Sequence, residues 1–216
     1  MIQQLTEVEA RVVGALVEKQ ITTPEYFPLT LNSLTAACNQ KTNRDPVVSY
    51  DEETVQTALD SLCNKNIALI IYRSGSRVAK YKHMFPKVYE ISPAEVAVLC
   101  VLMLRGFQTL GEIRERSSRL YEFPGLNEVN ETLEGLIKRD DPQVMKLERQ
   151  AGQKEVRFAH LLCGEIDVTN LPVATSGSHK HIDNERLSKL EEEVKTLRSE
   201  LDEFKSAFEE FKKQFD

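Results

Sequence analysis

The same short pattern occurs twice in this chain, each time behind a helix-like run. Gly75-Ser76-Arg77-Val78-Ala79-Lys80-Tyr81-Lys82-His83-Met84 aligns with Gly152-Gln153-Lys154-Glu155-Val156-Arg157-Phe158-Ala159-His160-Leu161. A glycine, two basic residues, an aromatic ring and a histidine fall at matching places. Ahead of the first copy, Val55, Ala58, Leu59 and Leu62 share one face at helical spacing; ahead of the second, Val129, Leu133 and Leu136 do so. Short apolar runs on either side of a glycine-bearing turn read as a hairpin. Helix, strand, tight turn, strand, twice over, requires one architecture used two times.

Each copy carries two further helices upstream. Thr6 and Glu9 form a capping box for a first helix with Val8, Val12, Val13, Leu16 and Val17 on one face. Two prolines in Thr22 to Pro28 break it, leaving a loop or short strand. A second helix fits Thr30 to about Asn39, and Asp51 caps a third that runs to about Asn64. Ile67 to Tyr72 and Val78 to Phe85 are the first pair of strands. The order then repeats. Ser92, Pro93 and Glu95 start a helix that runs through Leu104 and stops at Gly106. Helices over Thr109 to about Ser118 and Asn127 to Lys138 follow, then strands over Val144 to Arg149 and Val156 to Leu162. Three helices closed by a hairpin is the winged-helix arrangement. The expected fold class is mainly α with small β-hairpins (α+β), as two tandem winged-helix domains over 1–90 and 91–168. The first copy holds about a dozen more residues between its first and third helices, in loops where insertions cost little.

Residues 169–185 lack periodicity and contain Pro172 and Thr175-Ser176-Gly177-Ser178, so a flexible linker is expected there. A heptad seam follows over 186–216. Leu187, Val194, Leu201, Phe208 and Phe215 occupy a positions, and Leu190, Leu197, Phe204 and Phe211 occupy d positions. Glu193 and Glu200 at g face Arg198 and Lys205 at e when two copies run parallel and in register. The expectation is a coiled-coil helix that makes a homodimer. Against it stands a helix folded back on its own domain, for which the phenylalanine-rich end argues.

A net charge of −6 on 216 residues excludes a surface that is basic throughout, though not a local basic patch. Cys38, Cys63, Cys100 and Cys163 stand singly, without the spacing of a zinc site. Cys63 and Cys100 sit among apolar residues and read as buried structural thiols. The first residues lack a signal-peptide pattern, and the apolar run Val96 to Leu104 is too short to cross a bilayer. A cytoplasmic protein without membrane attachment is expected.

Five basic residues, Arg73, Arg77, Lys80, Lys82 and Lys87, occur before the next acid, Glu90, with Tyr72 and Tyr81 interleaved. Such a hairpin can lie along a phosphate backbone, or it can be a solvated strand face whose lysines block edge pairing. Lys41 and Arg44 can extend the patch from the preceding loop. The candidate nucleic-acid-binding residues are therefore Lys41, Arg44, Arg73, Arg77, Lys80 and Lys82. The loop's polar residues have a rival role, bonding the loop's own backbone. The third helices argue against groove reading, since they offer Glu52, Glu53, Gln56 and Asp60, and Glu128, Asn130, Glu131 and Glu134. Acidic faces fit protein partners. Two functions stand: a binding protein that contacts nucleic acid through its first wing, and a protein-interaction adaptor. His83 and His160 occupy equivalent wing positions and read as architectural. No catalytic constellation, metal site or cofactor motif is found, so no enzyme and no cofactor is expected.

Several longer strings resemble the YceH family of uncharacterised bacterial proteins. They are Glu18-Lys19-Gln20-x-Thr22-Thr23-Pro24, Ala37-Cys38-Asn39-Gln40-Lys41-Thr42-Asn43-Arg44-Asp45-Pro46-Val47, Arg77-Val78-Ala79-Lys80-Tyr81-x-His83 and Leu104-Arg105-Gly106-x-Gln108-Thr109-x-Gly111-Glu112-x-Arg114. The resemblance implies a tandem winged-helix fold in a bacterial cytoplasmic protein, and it implies no reaction and no catalytic residues.

Overall fold

A computed structural model describes residues 3–72, 78–149 and 155–166, all within one compact unit that ends at Asn170. The expected linker and the coil positions Leu187, Leu190, Val194, Leu197, Leu201, Phe204, Phe208 and Phe211 lie outside the described residues.

Helix α1 spans Glu7–Thr22, with the Thr6 hydroxyl accepting from Glu9 N–H and the Glu9 carboxylate accepting from Thr6 N–H. It is buried on every side from Glu9 to Val17, not along a single stripe. Its neighbours explain this: α2 (Leu31–Cys38), α3 (Glu52–Asn64) and α5 (Pro93–Arg105) all pack on it, the interface with α5 being the most extensive. Gly14 permits the close approach of α5. A Cβ there would lie 2.9 Å from Leu104 Cδ2 and 3.3 Å from Met103 Cβ. The Cys100 thiol, buried as expected, donates to the Gly14 carbonyl at 3.5 Å; Cys63 is only half-buried. Helix α5 is apolar all round from Val96 to Leu104 and buried throughout, as a central helix must be. Its Ser92–Glu95 capping box and the stop at Gly106 (φ 64°) follow the sequence signals.

In the first half, Thr30 and Asp51 cap α2 and α3. Strands β1 (Ala68–Ile71) and β2 (Lys80–His83) then pair antiparallel. Between α1 and α2 the chain makes a 3-10 turn at Pro24–Tyr26, and Leu29 pairs with Tyr81 through two backbone hydrogen bonds. The expected strand to Phe85 ends sooner. Phe85 is fully buried and opens a one-turn helix, α4 (Phe85–Val88), with Pro86 in its first turn, where a missing N–H costs nothing.

The second half repeats the plan with α5, α6 (Leu110–Ser117), α7 (Leu126–Ile137), β4 (Val144–Lys146) and β5 (Arg157–His160). A further strand, β3 (Gln108–Thr109), pairs with β5, giving the order β3-β5-β4. Leu29 and Gln108 thus play the same part beside Tyr81 and Phe158, a bridge in one half and a strand in the other. The observed fold is α+β, with small antiparallel sheets at the edges of a helical core. One hydrophobic cluster runs through both halves, from Val12, Leu34 and Leu59 to Leu99, Leu133 and Phe158. Among the described residues no helix is long and apolar enough to cross a membrane.

Candidate functional site

The first hairpin sorts its residues by the two-residue period of a strand. Tyr81 and His83 turn inward and are buried; Lys80 and Lys82 share the other face, half-buried, opposite Ile71 and Leu69. Arg73 and Arg77 lie outside the described residues. Exposed Tyr72 and Val78 flank the lysine face. Tyr81 does not interleave with the basic residues. Its ring is in the core and its hydroxyl donates to Gln56 Oε1 at 3.0 Å. That bond also holds Gln56 against the hairpin, half-buried, so α3 presents outward only Glu52, Glu53 and Asp60 of the expected acidic face. On α7, Asn130 and Glu131 are exposed, while Glu134 pairs with Lys138 at 2.9 Å.

His83 is buried and His160 half-buried, and neither has a partner on Nδ1 among the described residues. The edge of the Phe27 ring stands against His83, with centroids 6.2 Å apart. Burial pushes both imidazoles down to about 4, so both are neutral near pH 7.

The loop over 39–46 corrects part of the basic patch. Lys41 is exposed, but Arg44 is only 6% exposed and is no surface cation. Its guanidinium forks onto Glu18 at 3.0 and 2.6 Å and donates to the carbonyls of Ala37 and Asn43 and to Gln40 Oε1. A guanidinium removed from water needs this many acceptors, and the loop carbonyls supply them. Burial pushes the Glu18 carboxyl up, but Arg44 and then Lys19 outweigh it and hold the group below the usual range. Arg11, also buried, donates to the carbonyls of Pro46 at 2.6 Å and Cys38 at 3.4 Å. Two buried arginines therefore pin the loop to α1. The Asp45 N–H donates to the Leu104 carbonyl, and Arg105 bonds Asn43, tying the loop to the end of α5 as well.

A cleft of about 450 Å³ opens beside this network. It lies between the C-terminal half of α1, the loop, α5 and the end of α6. Lys19, Arg105, Arg116 and Arg119 line it with Glu18 and Glu115; Val101, Leu104 and Leu120 form an apolar wall. Arg116 is held by Glu112 at 3.2 Å and by Gln108. Sequence reasoning did not find this cleft, because its residues come from four separate segments. Three of the four strings that carry the family resemblance, those containing Glu18-Lys19, Gln40 with Asn43, and Leu104-Arg105, meet here. Among the described residues no three His, Cys, Asp or Glu side chains gather to hold a metal ion.

Comparison with known proteins gives a consistent picture. The family described as "Protein of unknown function, DUF480" matches residues 5–153. A UPF0502 protein of Geobacter sulfurreducens is 49% identical over 197 residues, covering 89% of this chain and 90% of its own length. A UPF0502 protein of Opitutus terrae is 49% identical, covering 90% and 83%. The UPF0502 protein YceH of Escherichia fergusonii is 49% identical over 174 residues, covering 78% and 81%.

Proposed function

This chain belongs to the DUF480 family, and we propose that it is a non-enzymatic, tandem winged-helix binding protein that holds a nucleic-acid backbone against its first hairpin. Lys80 and Lys82, side by side on one face of β2 in a stretch without acids from Arg73 to Lys87, carry this reading. Two amines roughly 7 Å apart along a strand displace condensed counterions when they meet phosphates. The carboxylates of α3 face outward and keep that helix from a groove, so the contact is to backbone and is sequence-independent. The units at 1–90 and 91–168 then serve as a duplicated scaffold, of which only the first carries the contact.

Fluorescence anisotropy with a mixed-sequence duplex tests this. Binding is expected at about 50 mM salt, and Lys80→Glu with Lys82→Glu is expected to weaken it at least about tenfold and to flatten the salt dependence by about one unit per lysine. Undetectable binding at low salt, or binding indifferent to the double substitution, sinks the reading. The exposed acids Glu52, Glu53 and Asp60 favour a second reading, a protein-interaction adaptor. A partner captured after nuclease treatment, and lost on reversing those charges, would support it instead.

The heptad seam from Leu187 to Phe211 supplies a parallel homodimer in either case, placing two hairpins in one particle. Light scattering is expected to give a dimer for the full chain and a monomer for a chain truncated after Thr169. A truncated chain that stays dimeric removes the coil from the interface.

A further inference from the structure

We propose that the cleft between α1, α5, α6 and the loop over 39–46 binds a small molecule bearing a phosphate or carboxylate group, gripped by Arg105 and Arg119. The proposal does not rest on the nucleic-acid reading. Four cationic and two acidic side chains line the cleft in a protein whose net charge is −6, so the local surplus runs against the overall charge. Pairing discounts both sides of that count: Glu18 accepts a fork from buried Arg44 and Arg116 is paired with Glu112, so Arg105 and Arg119 are the cations that carry the surplus.

Arg105 is half-buried and bonds Asn43 but has no carboxylate partner among the described residues, and Arg119 is exposed and has no partner there at all. Burial first, and then the charge of Arg116, hold the Arg105 guanidinium below its ordinary value. A guanidinium does not shed its proton near neutrality, so an arriving oxyanion relieves this repulsion and accepts a fork of hydrogen bonds in the same step. The volume, about 450 Å³, is that of a small-molecule site. The wall of Val101, Leu104 and Leu120 adds room for an apolar body beside the charged group. The cleft around the anion is held in place, because the buried arginines pin the loop on one side, Asn43 holds Arg105, and Glu112 and Gln108 hold Arg116 on the other, while exposed Arg119 closes on the anion from the rim.

Titration calorimetry and thermal shift on the full chain in low-chloride buffer test the proposal with two probes, phenyl phosphate and benzoate. Saturable binding of one or both is expected, with a matching rise in Tm, and the stronger probe identifies the headgroup as phosphate or carboxylate. Arg119→Ala touches no internal contact, so it is expected to leave the unliganded Tm unchanged and weaken binding about tenfold. Arg105→Lys keeps the charge, removes the fork and is expected to weaken binding similarly. Lys80→Glu with Lys82→Glu is expected to leave it intact. Two results overturn the proposal: no saturable binding of either probe, or binding that both arginine variants retain in full.

Discussion

Replacing Arg44 by alanine is expected to destabilise the protein by about 3–5 kcal/mol, the range found when one member of a buried ion pair is removed. The guanidinium donates twice to the Glu18 carboxylate, and its side chain is wholly withdrawn from solvent. Without it, Glu18 is left half-buried with Lys19 as its remaining cation, 3.6 Å away. The carbonyls of Ala37 and Asn43 and the Gln40 amide lose their donor together. One contribution runs the other way, since Arg11 is relieved of a like charge. It is the smaller, because Arg11 keeps the carbonyls of Cys38 and Pro46. For a chain of this size the change corresponds to a Tm lowered by roughly 10 °C. Arg44→Lys is not expected to restore it, because an ammonium cannot fork onto a carboxylate and reach the loop carbonyls at once. Urea unfolding read by circular dichroism checks the expectation; a loss under about 1 kcal/mol would place the pair in solvent, where such bridges are weak.

The same residue shows where the sequence was legible and where it was not. The helix starts at Thr6, Thr30, Asp51 and Ser92 were visible because a cap and the N–H it satisfies lie within three residues of each other. The face of β2 that carries Lys80 and Lys82 was visible for a similar reason, since alternation has a period of two. Arg44 was not. As a sequence it is a cation in a polar loop, and only the fold brings it to Glu18, a helix and a loop away. Strand β3 was hidden in the same way. Two residues, Gln108 and Thr109, have no strand signal of their own and become a strand because β5 lends them its free edge. The cleft combines both difficulties, for each lining segment has a sufficient local reason to exist. Thr22 ends a helix, Asn43 turns a loop, and Arg105 closes α5. Their convergence depends on the approach of α5 to α1 over Gly14, which a helical period does not encode.

Acid is expected to weaken the fold well before the carboxylates titrate, and the cause is the pair of histidines that end β2 and β5. Burial holds His83 and His160 at about 4, against 6.5 for a free imidazole. In the unfolded chain both rings therefore take up protons as pH falls through 6.5, while in the folded chain they stay neutral. The unfolded state binds more protons across that interval, so stability rises with pH there. It is fully present above about 6.5, is lost progressively as pH falls towards 4, and the histidine contribution levels off below. Each ring contributes up to about 3 kcal/mol over the interval, since one pKa unit corresponds to 1.36 kcal/mol. Glu9 and Glu18 act lower down. Burial raises both carboxyls, but Lys65 and Arg44 respectively outweigh it, so their stabilisation fades only as pH drops through values below 4.5. The interval between 6.5 and 4.5 thus belongs to the histidines. Urea unfolding at pH 7.5, 6.5, 5.5 and 4.5 is expected to give a midpoint that declines at each step below the second. In a chain with His83→Leu and His160→Leu, neither replacement carries a proton and neither leaves a buried nitrogen without a partner, so the decline is expected to flatten over the same interval. A wild-type midpoint that is level from 6.5 to 4.5, or an unchanged slope in the double variant, would mean that these imidazoles are protonated inside the fold.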